Sequence, residues 1–491
     1  MPLENTAVAG GNPVSGFKPV HLNSYVAGKP VRSGEKIEVH FPYDGTVSGT
    51  ITQVGEADVN AAIEAALRQS AGSAGSRYDR YLVLERSRQL LADRKEEFAA
   101  LITAESGLCI REALYETGRA ADVLFFAAIE ALRDDGQVFS CDISGNGKAR
   151  KIFTLREPLD LAVAITPFNH PLNQVVHKLA PAIAAGTPVI LKPSEKTPLT
   201  AIRFAELLYE AGLPDYMLSV LLGPTAQVAE KLVRDPRVSL VSFTGSVAVG
   251  KKISETAGYK KVILELGGND PLIVLEDADM EMAVTLAAEG AFRNSGQRCT
   301  AVKRILVEED IAEEFTRLLV EKAKEYVIGN PFNPATRVGT VIDEPAAIYL
   351  EEVVQQAISD GAELLLGGKR RGAVMEPTVL AGVPRTTQMV VRESFGPLAP
   401  IIPVKNLEDA IAVANSTSYG LSSGIVTNDL KKALKAVKEL RMGTVNINEV
   451  PGYRLESSPF GGIKDSGLGI KEGVIEAIKC FSYVKTFSLP W

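Results

Sequence analysis

Apolar residues recur at helical spacing in three early stretches, ADVNAAIEAALRQ, RYLVLERSRQLLADRKEEFAALITAESG and REALYETGRAADVLFFAAIEALRD. At roughly 3.6 residues per turn such positions share one stripe, so the spacing predicts helices through 57–133. Residues 1–55 alternate instead and are broken by Gly and Pro, the pattern of short strands in an extended stretch. At 137–157 the segments VFSCDIS and ARKIFTLRE flank Gly145-Asn146-Gly147 and predict a β-hairpin. A hairpin that interrupts helical sequence is expected to project and to pair with another subunit.

From LDLAVAITP onward, near-continuous apolar runs alternate with helical patterns: TPVILKP, MLSVLLG and VSLVSFTGS are separated by amphipathic segments. Strands that are apolar on both faces are covered on both faces, so an α/β fold with a parallel, helix-covered sheet follows. Ligands bind such sheets at the C-terminal strand ends. A second α/β region is expected to begin near Glu265, with KKVILELGG and DPLIVL, and to run to about Lys471. The last segment, KCFSYVKTFSLP, predicts a strand that completes a sheet with the hairpin of a partner.

The 491 residues are too many for one compact core. The net charge of −7 argues against nucleic acid, which needs a basic face. No apolar run approaches the roughly 18–20 residues of a membrane span. The start lacks the basic and apolar regions of a signal peptide, so a cytoplasmic location without membrane partners is expected. The four cysteines, 109, 141, 299 and 480, form no C-x-x-C pair, and the four histidines lack metal-ligand spacing, so no metal site is expected.

Three positions carry candidate chemistry. Cys299 lies in Phe292-Arg293-Asn294-Ser295-Gly296-Gln297-Arg298-Cys299-Thr300, between a helix and a strand. A lone cysteine is more often a small buried hydrophobe. Here Gly296-Gln297 breaks the helix so that backbone amides can face the sulfur, and Arg298 adds charge that favours the thiolate. Glu265 ends an apolar strand in Ile263-Leu264-Glu265-Leu266-Gly267-Gly268, where burial raises a carboxyl toward the range of a general base. A salt-bridged structural glutamate is an equal reading of those residues. Asn169, in Thr166-Pro167-Phe168-Asn169-His170-Pro171, offers its amide to an oxyanion or caps a turn.

Further segments are Lys192-Pro193-Ser194-Glu195, Phe243-Thr244-Gly245-Ser246, Glu393-Ser394-Phe395-Gly396-Pro397 and Pro459-Phe460-Gly461-Gly462. With the three above, in this order and spacing, they resemble the aldehyde dehydrogenase superfamily over nearly the whole chain. The resemblance implies a Rossmann-like NAD-binding domain in 1–136 and 159–266 and a catalytic domain in 267–471. It adds an oligomerisation β-element in 137–158 and 472–491, and a homodimer or homotetramer. It implies that Cys299 attacks the aldehyde, that Asn169 and the Cys299 amide hold the oxyanion, and that Glu265 activates the water that hydrolyses the thioester. The presence of Glu265 favours water over coenzyme A as acceptor.

No G-x-G-x-x-G follows a strand, so the dinucleotide is bound differently. The implied cofactor residues are Thr166, Pro167, Lys192, Ser194, Glu195, Gly245, Ser246, Leu266, Glu393 and Phe395. Gly245-Ser246 opens a helix whose amides meet the pyrophosphate. Lys192 and Glu195 take the adenosine ribose; Glu393 takes the nicotinamide ribose, with Phe395 near the ring. A carboxylate at 195 repels a 2′-phosphate, which favours NAD, with NADP as the alternative.

Arg119, Arg298 and Arg454 fall where the superfamily's substrate funnel lies, and His170 adds a donor. Any one of these arginines can be a surface or ion-paired residue, but three in one cleft would not follow from an acidic composition. Arginine suits bidentate binding of phosphonate, phosphate or carboxylate. A small anionic aldehyde is therefore expected. Within the superfamily the pattern most resembles phosphonoacetaldehyde dehydrogenases, which implies phosphonate catabolism. Non-phosphorylating glyceraldehyde-3-phosphate dehydrogenases come next, with lactaldehyde, succinate semialdehyde and sulfonated aldehydes as further alternatives.

Overall fold

The computed structural model describes residues 17–70 and 75–491; residues 1–16, read above as the start of the extended stretch, lie outside it. Two seven-stranded sheets form the body. In the first, Lys261–Glu265, Leu240–Thr244, Ala162–Ile165, Val189–Lys192 and Leu218–Val220 run parallel in that order, with Tyr25–Val26 and Lys29–Pro30 antiparallel at the far edge. Every residue of Ala162–Ile165, Val189–Lys192 and Leu240–Thr244 is buried, as apolar runs covered on both faces require. Lys261–Glu265 closes this first sheet and does not open the second region. Its pairing ends at Thr244↔Glu265, which brings two strand ends side by side.

In the second sheet, the order is Glu363–Leu366, Thr378–Ala381, Leu398–Val404, Val302–Glu308, Asp270–Val274, Ser422–Val426 and Thr444–Ile447. Only Glu363–Leu366 is antiparallel to its neighbour. The helical run expected to be continuous divides into Arg77–Asp93 and Lys95–Ser106 at Arg94, whose φ of −111° is not helical.

Two buried glutamates tie this helical layer to the first sheet's helices. Glu105 accepts from the amides of Leu199 (2.6 Å) and Thr200 (3.1 Å), and Glu116 from those of Leu172 (2.8 Å) and Asn173 (2.9 Å). The helices they cap, Leu199–Glu210 and Asn173–Ala185, lack side-chain caps of their own. Burial pushes Glu105 up to about 8 and Glu116 up to about 7. Glu116 thereby anchors the chain as it leaves Asn169 and His170.

The hairpin and the C-terminal strand form a third sheet, ordered Ser482–Pro490, Arg150–Pro158, Val138–Ser140. The C-terminal strand pairs with its own chain's hairpin, from Ser482↔Pro158 to Pro490↔Arg150, and not with a partner's as expected. Phe481 explains this. Its carbonyl accepts from the Leu159 amide (3.2 Å) and the Thr187 hydroxyl (2.6 Å), which sets the register as the strand leaves the body. Among the described residues, no helix is long and apolar enough to cross a membrane.

Candidate active site

After the helix Met280–Phe292 the chain makes a 3-10 turn, Arg293–Gly296, in which Asn294 (φ 57°), Ser295 (φ 51°) and Gly296 (φ 69°) are all left-handed. Such positions cost on the order of 1–3 kcal/mol each for residues other than glycine. A Cβ at 296 would overlap the Gly396 carbonyl, so only glycine fits. The reversal presents Cys299 ahead of Val302–Glu308. The Gln297 and Arg298 amides close turns on Asn294 O (3.0 Å) and Gly296 O (2.9 Å), so they do not face the sulfur as expected. Among the described residues, no hydrogen bond engages the Cys299 amide. Asn169 lies against this turn, its Nδ2 donating to Gln297 O at 2.8 Å.

Burial pushes the Cys299 thiol up to about 11, and Lys303 is the foremost charge acting against that rise. Arg298, expected from the sequence to favour the thiolate, also interacts electrostatically with Cys299, while its Nη2 turns back to Glu289 O (3.1 Å) and Gly290 O (2.7 Å), carbonyls at the negative end of the preceding helix. Lys303 lies within the strand VKRILVE and is almost wholly buried. Its Nζ donates to Arg298 O (2.8 Å), Cys299 O (2.9 Å), Gly268 O (2.8 Å) and Glu393 Oε1 (2.8 Å).

Glu265 is 5 % exposed, and among the described residues neither of its side-chain oxygens has a hydrogen-bond partner. Burial and the charge of Glu472 hold it well above the ordinary carboxyl range. The structural alternative, a salt-bridged Glu265, is not what forms. Lys178, fully buried, pairs with Glu472 (3.0 Å) and Ser242 Oγ (2.8 Å) instead. A lysine inside the apolar helix segment VVHKLAPAIAA was a legible signal that sequence reasoning passed over.

Thr166, Pro167, Lys192, Ser194, Glu195, Gly245, Ser246 and Leu266 lie at or just beyond the C-terminal ends of the first sheet's strands, and Glu393 and Phe395 precede the second sheet's strand Leu398–Val404. Thr166 N donates to Lys192 O (3.2 Å), and half-buried Pro167 follows it. Lys192 Nζ pairs with Glu195 Oε1 (3.1 Å), and Ser194 Oγ accepts from the Lys196 amide (3.2 Å). Ser246 caps Val247–Ala257 through the Val249 amide. The Gly245 amide is already committed to Glu265 O (3.1 Å) and the Leu266 amide to Ser466 O (3.0 Å), so neither is open to a pyrophosphate. Glu393 also accepts from the Gly268 amide (3.2 Å), and Phe395 meets Phe168 edge-on at 5.8 Å. A capped helix N-terminus for an anion and a half-exposed carboxylate at 195 for ribose hydroxyls fit a dinucleotide. Among the described residues, no His/Cys/Asp/Glu group has the arrangement of a metal site.

A cavity of about 280 Å³ is lined by Arg119, His170, Arg298 and Arg454, with Glu116 and Glu449 also on its wall. Behind it lies a carboxylate that sequence reasoning missed. Glu456, 5 % exposed, bonds Arg119 Nε with one oxygen and His177 Nε2 (2.5 Å) with the other, and Arg454 Nη2 is 4.0 Å away. The Arg454 guanidinium also stacks over Phe460 at 4.1 Å. Arg298 has no carboxylate partner among the described residues, and its buried Nε is unpartnered. His170 Nδ1 donates to Asn169 O (2.6 Å), so Nε2 of the neutral ring is an acceptor, not the expected donor. Burial and the three arginine charges hold His170 down, at about 3.

The model of the aldehyde dehydrogenase family matches residues 30–487. A 3-sulfolactaldehyde dehydrogenase of Priestia aryabhattai is 41 % identical across 93 % of this chain and 95 % of its own. Aldehyde dehydrogenase 21 of Physcomitrella patens, solved with the reaction product succinate, superposes with a TM-score of 0.93 at 36 % identity, covering 96 % of this chain and 99 % of that one. The glyceraldehyde-3-phosphate dehydrogenase GapN of Methanocaldococcus jannaschii, complexed with NADP, gives 0.89 at 38 % identity, covering 94 % and 100 %.

Proposed function

The chain belongs to the aldehyde dehydrogenase family as an NAD(P)-dependent oxidoreductase, and on this ground we propose that it oxidises a small aldehyde with a doubly charged tail, phosphonoacetaldehyde to phosphonoacetate. The observation that carries the reading is the convergence of Arg119, Arg298 and Arg454 on one cavity. The relatives add support, since sulfolactaldehyde, glyceraldehyde 3-phosphate and succinate are all anionic. Glyceraldehyde 3-phosphate is the second reading, favoured by the likeness to the Methanocaldococcus enzyme.

Chemically, the Cys299 thiol gives up its proton to solvent and the thiolate sulfur adds to the aldehyde carbon. The oxygen becomes an oxyanion held by the Cys299 amide and by Asn169 Nδ2, which has a second hydrogen beyond the one given to Gln297. A bound nicotinamide would supply the acceptor for the hydride leaving the aldehyde carbon. The thioester left on Cys299 is cleaved by water whose proton passes to Glu265; the unpartnered, buried carboxyl suits that work. The C–S bond breaks and the sulfur regains a proton. Lys192, Glu195 and Ser246 hold the adenosine half of the cofactor, and Glu393 and Phe395 the nicotinamide half. Glu195 opposes a 2′-phosphate, an effect its pairing with Lys192 partly offsets, so NAD is preferred and NADP accepted. Exposed Val138, Phe139, Val484, Phe487 and Leu489 give the β-element an apolar surface for a homo-oligomer.

The test is Arg298→Ala and Arg454→Ala, each measured with phosphonoacetaldehyde and with an uncharged aldehyde of similar size. KM for the anion is expected to rise about tenfold or more, with little change for the uncharged aldehyde. Equal losses on both would make the arginines structural.

A further inference from the structure

A second cavity, of about 360 Å³, adjoins the substrate cavity and shares with it Glu112, Tyr115, Glu289 and Arg293. Its remaining wall includes Arg111 and Arg337, so three arginines face two carboxylates there. Arg293 stands at the junction. Its Nη2 pairs with Glu112 Oε2 at 3.0 Å, and its guanidinium lies over the Tyr115 ring at 4.7 Å. The aromatic face keeps the guanidinium flat whatever else it binds. The contact is forked, with Arg293 Nε (3.2 Å) and Nη2 (3.0 Å) both donating to Glu112 Oε2, and it opens to the cavity on the arginine's side, Arg293 being 31 % exposed and Glu112 13 %. Arg293 also lies within electrostatic reach of Arg298 on the inner wall. On the outer side Arg337 stacks on Tyr326 at 5.2 Å and is 3.5 Å from Glu325, while Arg111 forms no ion pair among the described residues.

We propose that this outer cavity is an anion-capture site, in which Arg293 exchanges Glu112 for the anionic tail of the incoming aldehyde and passes it to the arginines of the inner cavity. The proposal rests on the reading of an anionic substrate. The ligand is a small organic dianion, drawn in by Arg111 and Arg337 and released inward. No covalent step is involved. The cavity sets the rate of productive encounter and leaves chemistry at Cys299 untouched.

Because the two partners of one ion pair have opposite roles here, their neutral variants are predicted to differ in sign. Arg293→Gln should lower kcat/KM for phosphonoacetaldehyde by at least about fivefold, and Glu112→Gln should raise it by about twofold, at low ionic strength. Both differences should shrink in high salt, and the ratio of kcat/KM for the anion to that for an uncharged aldehyde should fall in Arg293→Gln and rise in Glu112→Gln. A bridge that merely braces the helix would give losses of the same sign in both variants and with both aldehydes, and that result overturns the proposal. So does an unchanged kcat/KM in Arg293→Gln while the wild type retains its preference for the anion. A wild type without that preference overturns the substrate reading itself, and the capture site with it.

Discussion

Cys299→Ala is expected to reduce kcat by about 10⁴-fold or more, down to the background of an enzyme that binds but cannot form the thiohemiacetal. The thiol follows a left-handed reversal that holds Asn294 and Ser295 at positive φ and presents Cys299 ahead of the strand Val302–Glu308. A burial that pushes the thiol up to about 11 means it rests protonated, so its reactivity must grow with pH. Alkylation by iodoacetamide in the wild type should therefore accelerate steadily above neutrality and label Cys299. Cys109, buried and pushed up to about 12, should remain unlabelled under the same conditions. Retention of more than about a hundredth of the activity in Cys299→Ala would remove the covalent mechanism.

Glu265→Gln is expected to separate the two halves of the reaction. One equivalent of reduced nicotinamide should form in a burst, followed by turnover slowed by about 10²- to 10⁴-fold, because only hydrolysis loses its base. The acyl group should then be visible on Cys299 as an added mass in the intact protein. The wild type should show the matching pH dependence. Glu265 is held well above the usual carboxyl value of 4.5, so it is protonated and idle in acid, and hydrolysis gains rate as pH rises through its raised pKa. The acid limb should thus lie above that of an ordinary carboxylate and disappear in Glu265→Gln. Loss of the burst itself would assign Glu265 to the first step. The fold carries a related pH signature. Glu105 and Glu116 are raised to about 8 and about 7, so whatever stability their neutral forms contribute is present in mild acid and lost as pH rises through those values.

Much of this architecture was legible because periodicity reports burial. Strands such as Ala162–Ile165 and Leu240–Thr244 are apolar throughout because helices cover both faces, and that pattern needs no tertiary information. The division at Arg94 was not legible, since no Gly or Pro marks it. Nor was the pairing of the C-terminal strand, which turns on a carbonyl at Phe481 reaching Leu159 and Thr187 hundreds of residues away in sequence. The site divides in the same way. Cys299, Glu265 and Asn169 stand at ends of elements with unusual local sequence. Lys303, Glu456 and Arg293 are ordinary charged residues whose roles exist only once distant segments meet. Arg298 lines the cavity, but the turn of its Nη2 to the carbonyls at its own helix's end could not be read from the sequence, because it depends on how the chain reverses after Phe292.

The most direct measurement is the formation of reduced nicotinamide by the purified protein with phosphonoacetaldehyde, set against glyceraldehyde 3-phosphate and an uncharged aldehyde of similar size. The predicted result is a kcat/KM for phosphonoacetaldehyde about a hundredfold or more above the others, roughly 3 kcal/mol of transition-state discrimination. An uncharged aldehyde oxidised equally well would contradict it, and would leave Arg119, Arg298 and Arg454 as structural residues of a general aldehyde dehydrogenase.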